Sequence, residues 1–410
     1  MDIERGAIEA ATETADRREL VSLIEPLTIS ESSRHRAGLT DLALDLAQKA
    51  AGFKRSLPAS LLSSLATLVR AMNCYYSNLI EGHDTHPVDI ERALKEDYSN
   101  DARKRDLQLE ARAHIAVQEW IDEGGLRNRA VSANGISETH RRFCELLPEE
   151  LLFVDDPHTK ERIPIVPGEL RRRDVEVGRH LAISPGAVPR FLERFEFIYG
   201  NLGRAEAILS AAAAHHRLLW IHPFLDGNGR VARLMSHATL LDLLGSGAVW
   251  SVARGLARNV EAYKQHLANC DQPRRNDLDG RGNLSEEALA EFTRFFLTVC
   301  TDQVTFMESL MQPERLRARI QLWAEEEIRV GALPAKSGAI LEAVLYRGEL
   351  PRGDAPEAIA GSERNARRIV SALIDKGVLT SESSRAPLRL AFPAVLASRW
   401  MPGLFPEKVE

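Results

Sequence analysis

The segment Ile221-His222-Pro223-Phe224-Leu225-Asp226-Gly227-Asn228-Gly229-Arg230-Val231-Ala232-Arg233 gathers a base, a carboxylate, a glycine-flanked turn and two arginines. Upstream, Gly203 to Trp220 reads as an alanine-rich apolar helix, and Pro223 predicts a stop near His222, because the residue before proline avoids helical angles. From Val231 to Leu244 the helical spacing resumes, so Gly227-Asn228-Gly229 is expected as a tight connection opening a second helix. A helix N-terminus made approachable by glycines binds phosphate oxygens. Arg230 and Arg233 stand three apart on one helix face, where guanidinium forks can grip successive phosphates. Asp226 offers the hard oxygen that Mg²⁺ prefers beside phosphates. His222 titrates near neutrality and could take a proton from an attacking hydroxyl. Gly-Asn-Gly alone would suit a plain turn, and the segment is neither a P-loop nor a dinucleotide fingerprint.

His222, Phe224, Asp226, Gly227, Asn228, Gly229, Arg230 and Arg233 match every fixed position of H-x-F-x-[DE]-G-N-G-R-x-x-R, and in this the sequence resembles the Fic (Fic/Doc) family. The resemblance implies transfer of AMP from ATP to a hydroxyl side chain of a protein, with ATP as substrate and Mg²⁺ as cofactor. It makes His222 the general base, Phe224 the core anchor of the loop and Asp226 the metal ligand. Gly227, Asn228 and Gly229 would cradle the α- and β-phosphates, Arg230 would support them, and Arg233 would meet the γ-phosphate.

The elements that must position this segment are mostly helical. Leu61, Leu62, Leu65, Leu68, Val69 and Met72 repeat at helical spacing through to Ile80, with Gly82 as a C-terminal stop. The last turn, Ser77-Asn78-Leu79-Ile80-Glu81-Gly82, is by itself a capped helix end. Beside the Fic motif it matches the family's inhibitory signature [ST]-x-x-x-E-[GN]: Glu81 would pair with Arg233 in place of the γ-phosphate, and Ser77 would steady the contact. Helices are expected at Val88–Asp97, Ala102–Glu123, Ser137–Leu147, Arg190–Gly200, Asn259–Leu267 and Glu286–Cys300. Between Pro148 and Pro189 the helical pattern lapses, and Ile163–Arg171 and Val175–His180 read as short extended pieces forming a β-hairpin. Arg171-Arg172-Arg173 reads as a solvated charge run. By resemblance the hairpin is the flap that pairs with the target backbone, with Val177, Gly178, Arg179 and His180 bordering the nucleotide. Tyr263 corresponds to the family aromatic near adenine, though a plain core tyrosine fits as well. His215, His216 and His237 read as structural, not as metal ligands.

Residues 1 to about 55 suggest short helices only. After an amphipathic helix over Pro313–Arg329, the order helix, helix, turn, helix, wing resembles a winged helix-turn-helix, with Arg364, Arg367 and Arg368 on the candidate recognition helix. The expected fold is therefore mainly α: a Fic-type bundle with a small β-hairpin flap and a C-terminal winged helix. The domains run as 1–130 (with the inhibitory helix at about 58–82), 131–312 (catalytic core), 313–334 (linker helix) and 335–410.

With 410 residues, 44% hydrophobic and 27% charged, the chain has the balance of a globular protein, and its net charge of −6 argues against a chain-wide nucleic-acid surface. Cys74, Cys144, Cys270 and Cys300 have no paired spacing, which fits a reducing compartment. With no apolar leader and no spanning run, the expectation is a cytoplasmic protein without a membrane partner. The expected partner is a protein bearing a hydroxyl side chain, or the chain itself; a homodimer is left open. Two alternatives stand beside AMP transfer. One is removal of AMP by a water that Glu81 positions. The other is a DNA-binding regulator whose Fic domain senses nucleotide, with thin support from three arginines offset by Glu363 and Asp375.

Overall fold

The computed structural model describes residues 15–156, 160–178, 180–246 and 248–406. It is mainly helical, with strands confined to three small sheets. In chain order the helices are α1 (Arg36–Arg55), α2 (Ala59–Ile80), α3 (Pro87–Leu94), α4 (Ala102–Asp122), α5 (Ala133–Glu145), α6 (Val188–Tyr199), α7 (Arg204–Leu209), α8 (Ala211–Ile221) and α9 (Asn228–Leu244). They continue as α10 (Val252–Arg258), α11 (Val260–Cys270), α12 (Glu286–Leu310), α13 (Pro313–Arg329), α14 (Ser337–Arg347), α15 (Ala355–Ala358), α16 (Glu363–Asp375) and α17 (Ala397–Trp400). The strands are β1 (Phe153–Asp155), β2 (Arg162–Pro164), β3 (Glu176–Val177), β4 (His180–Leu181), β5 (Glu349–Leu350), β6 (Leu379–Thr380) and β7 (Leu388–Leu390). None of the described helices is long and apolar enough to cross a membrane.

The chain forms two compact units. One is built from the residues up to Asp45, Ala116–Leu243 and Leu256–Val299; the other from Leu46–Ile115, Leu244–Gly255 and the residues from Cys300 onward. In the first unit α6 packs on α8, and Phe191, Phe195, Ile221, Phe224, Phe292 and Phe296 are wholly buried. Burying side chains of this size is the dominant stabilising contribution, roughly 1.5–3 kcal/mol each.

The extended region differs from expectation. Ile163–Arg171 and Val175–His180 do not pair with each other. Residues Arg162–Pro164 pair with the unpredicted β1, in the register Val154↔Ile163, and Val177 pairs with His180 inside its own tight hairpin. Two prolines, Pro164 and Pro167, stop the first piece from continuing to Arg171. The helix expected over Gly203–Trp220 is also two, broken at Ser210, whose φ −88° and ψ 0° loosen the turn between α7 and α8. The helix expected from Ser137 begins earlier, at Ala133, because Ser132 caps it by accepting from the Gly135 N–H at 2.9 Å.

In the second unit, α2 ends in a Schellman motif. Gly82 (φ 84°) donates to the Leu79 carbonyl at 3.0 Å and His83 to the Asn78 carbonyl at 2.9 Å, so Glu81 occupies a fixed C-cap position. The Tyr76 hydroxyl donates to the Leu404 carbonyl at 2.9 Å. Further along, β5, β7 and β6 form an antiparallel sheet in that spatial order, and α17 packs on α13 through Trp400 and Trp323.

Candidate active site

His222 caps α8 in the left-handed region, at φ 51° and ψ 64°, a conformation uncommon for a residue with a side chain. Its N–H donates to the Leu218 carbonyl at 3.0 Å, and Nδ1 lies 3.3 Å from the Leu219 carbonyl. A carbonyl only accepts, so Nδ1 carries the hydrogen and Nε2 the lone pair. No described residue donates to Nε2. Burial pushes the His222 pKa down to about 4, reinforced by the charges of Arg171 and His180 and opposed by the Leu219 hydrogen bond and Asp226. At neutral pH the imidazole is therefore uncharged and able to accept a proton.

A helix end leaves carbonyls without intrahelical partners. At the end of α8 each of them has one. Leu218 and Leu219 accept from His222 itself, Trp220 from His180 Nε2 at 2.8 Å, and Ile221 from Arg171 Nη2 at 3.5 Å. Arg171 also donates to the carbonyls of His222 (2.7 Å), Arg173 (2.9 Å) and Ile183 (2.5 Å). The expected solvated run Arg171-Arg172-Arg173 is thus corrected at its first member. Arg171 is 3% exposed, while Arg172 and Arg173 are exposed and pair with Glu169 and Glu161. The carbonyls of a helix C-terminus attract a cation, which is why a guanidinium with no carboxylate partner among the described residues settles there.

The connection from His222 to α9 is held by its own side chains. Gly227 adopts φ 79°, which a side chain would resist. Asn228 accepts from the Phe224 N–H at 2.9 Å and donates to the Phe224 carbonyl at 2.8 Å, closing the loop on itself. Phe224 is fully buried and stacks on His140, with ring centroids 4.0 Å apart and 2° between planes. His140 Nδ1 accepts from the Gly168 N–H at 2.9 Å, and its Nε2 lies 3.5 Å from Cys144 Sγ. Gly168 (φ 78°) comes this close because it has no Cβ, which would lie 2.9 Å from Arg141 Cβ. The first N–H groups of α9 lack helical acceptors, while Val231 N–H already bonds the Gly227 carbonyl at 3.0 Å.

Around this nest the Arg230 guanidinium lies 5.1 Å from the Phe143 ring centre, and Arg233 is 5% exposed. Asp226 is exposed and forms no ion pair with a described residue, so its carboxylate suits Mg²⁺. Val177, 46% exposed, and Gly178, at φ 62°, sit at the hairpin turn; Arg179 lies outside the described residues. Tyr263 is 2% exposed, and its hydroxyl donates to His215 Nε2 at 2.8 Å. His215 passes the chain to Ser236 and Ser236 to the Ala232 carbonyl, linking α11, α8 and α9. His216 and His237 bond Asp271 and Asp122. Ser77 is buried and Glu81 exposed, both at the end of α2. Sequence reasoning missed His140 and the buried role of Arg171; neither lies in the motif, and no spacing rule connects them to it.

The architecture and the site define a helical scaffold that presents a neutral histidine beside the open N–H groups of a helix N-terminus. Residues 131–240 match the Fic/DOC family, and the chain carries a Fic/DOC domain there. It is 28% identical over 223 residues to a protein adenylyltransferase Fic of Drosophila erecta, covering 52% of this chain and 42% of that one. A Drosophila mojavensis protein of the same description is 30% identical over 169 residues, covering 41% of this chain and 31% of its own. The chain thus spans less than half the length of these relatives. Its fold resembles a Fic family protein from Desulfovibrio desulfuricans G20, at a TM-score of 0.50 and 18% identity over 89% of this chain and 98% of that one. Fic-1 of C. elegans is similar at a TM-score of 0.50 and 16% identity, over 68% and 74%.

Proposed function

We propose that the protein transfers AMP from ATP to a Ser, Thr or Tyr hydroxyl of a target protein or of itself. The observation that carries this reading is the geometry of His222, whose Nδ1–H is committed to Leu219 while the Nε2 lone pair stands one short loop from the N-terminus of α9. The target oxygen attacks the α-phosphorus, the bond from that phosphorus to the β-bridging oxygen breaks, pyrophosphate leaves, and His222 Nε2 takes the hydroxyl proton. Asp226 would hold Mg²⁺, which when bound would supply positive charge beside the phosphates. Main-chain N–H groups of Gly227, Asn228 and Gly229 receive the α- and β-phosphates, Arg230 supports them, and Arg233 receives the γ-phosphate. The phosphates bring negative charge to His222 and raise its pKa from about 4 toward the value a general base needs. Asn228 contributes its N–H, since its amide is committed to Phe224.

The hairpin pairs with the target backbone and registers its hydroxyl; Val177, Gly178, Arg179 and His180 border the nucleotide, and Tyr263 supports the adenine side. Glu81, with Ser77, restrains the reaction by competing with the γ-phosphate for Arg233. The C-terminal segment is a winged helix, a reading supported by the β5-β7-β6 sheet, in which β5 follows α14 and β6 and β7 follow α16. DNA binding has thin support there, because Arg367 is paired with Glu363 and Arg368 with Asn365.

Self-labelling with ATP labelled on the α-phosphate tests the reading. Glu81→Gly is expected to exceed the parent rate by at least about tenfold, since a charge-assisted contact of roughly 1.5–3 kcal/mol is removed. The Glu81→Gly, His222→Ala double variant is expected to lose roughly a hundred- to ten-thousand-fold. Equal labelling by single and double variants would overturn the role of His222; a single variant no faster than the parent would overturn that of Glu81.

A further inference from the structure

Arg171 is a buried cation whose acceptors among the described residues are all main-chain carbonyls. Carrying a charge into the interior is costly, and a methionine would fill similar space without that cost. Burial lowers its pKa only to about 10, so it is charged at neutral pH. What the charge achieves is read from the acceptors. On one side they are Ile221 and His222, with the Arg171 N–H adding the Pro223 carbonyl at 2.9 Å. On the other side they are Arg173 and Ile183, which bracket the hairpin of β3 and β4. One guanidinium therefore closes the root of the hairpin and holds the main chain through His222, where a left-handed conformation would otherwise relax.

We infer that Arg171 is a positioning residue that fixes the proton-accepting face of His222 and ties it mechanically to the β3–β4 hairpin. The inference rests on the reading of His222 as the general base. The planar fork is needed because it reaches carbonyls in several directions at once; a lysine ammonium supplies fewer donors from a single point. His180 reinforces the same end of α8 from β4, and Asp226 is the acidic group facing His222 from the loop. The phosphate-binding N–H groups of α9 make no contact with Arg171, so its loss should leave nucleotide binding in place.

The test is made in the Glu81→Gly background with Arg171→Met, Arg171→Lys, Arg172→Ala and His222→Ala. Arg171→Met is expected to lower kcat roughly a hundredfold, the scale of a misplaced reacting group, with KM for ATP changed less than about twofold. Arg171→Lys should fall between, and Arg172→Ala, an exposed residue paired with Glu169, should match the background. In ¹⁵N-histidine spectra the background protein should show His222 as the Nδ1–H tautomer, and Arg171→Met a mixture of tautomers. A role confined to folding would lower thermal stability and the active fraction while leaving the tautomer of the folded protein intact, and that result would overturn the inference. If Arg171→Met fails to fold, Arg171→Lys carries the same measurements. An inactive His222→Ala beside Arg171 variants at full kcat would remove the inference alone; an active His222→Ala would remove the base assignment and the inference with it.

Discussion

Acid should unfold the unit that carries His222 before most of its carboxylates are titrated. Burial pushes His140, His216 and His222 down to about 4 and His215 to about 3, whereas in an unfolded chain each returns to about 6.5. A histidine whose folded pKa lies below its unfolded one binds more protons when unfolded. Above pH 6.5 both states are neutral and nothing is lost; between pH 6.5 and 4 protonation increasingly favours the unfolded chain. At pH 5 that gain is about 2 kcal/mol per histidine, or about 8 kcal/mol for the four together. Domains are stable by only about 5–15 kcal/mol, so the midpoint should fall near pH 5, with uptake of about three to four protons. Hydrogen-exchange mass spectrometry of peptides covering 188–221, from pH 7.5 to 4.2 at fixed ionic strength, localises the transition to this unit, and proton uptake by potentiometry counts the groups. Full protection of these peptides at pH 4.2, or uptake of less than about one proton, would refute the reasoning.

Two further outcomes follow from the same packing. Asn228→Ala orphans the buried N–H and carbonyl of Phe224, at about 1–3 kcal/mol each, and should lower both thermal stability and ATP affinity. Asn228→Asp restores the acceptor but adds a carboxylate at the phosphate nest, so calorimetry should show stability recovering more than affinity; identical behaviour of the two variants would discount the amide as the loop's closure. Tyr263→Phe leaves His215 Nε2 buried without its donor and should lower the melting temperature by a few degrees, about 1–3 kcal/mol, with KM for ATP within about twofold. A raised KM without loss of stability would instead assign the hydroxyl to the nucleotide.

The motif was legible because its turn, its glycines and its proline are local. Pro223 marked the exit of α8, Gly227 the entry to α9, and Gly82 the end of α2, each by a backbone preference read from one or two residues. α1 was hidden because its buried stripe, Leu39, Ala43, Leu46, Ala50 and Phe53, is carried partly by alanines, while Leu44 on another face stays 55% exposed. Arg171 looked like part of a charge run since burial of a charge depends on distant carbonyls that no local pattern announces. His140 joined the site through stacking and through Gly168, contacts made only once α5 and the hairpin region are folded together. Strands of two or three residues carry too few side chains for alternation to register, so β1 and β5 left no periodic trace.

The hairpin has two kinds of residue, and they differ in how freely they can diverge. Its roots, Arg171 and Ile183, are buried and bound to the end of α8, whereas Glu176, Val177, Gly178 and Leu181 face solvent, Leu181 at 62% exposure. On the inference drawn for Arg171, substitution at the roots is felt at once by His222; substitution at the tip changes only exposed surface. A lineage carrying this arrangement can exchange the shape and charge of the tip over many generations while the proton-accepting geometry is inherited unchanged.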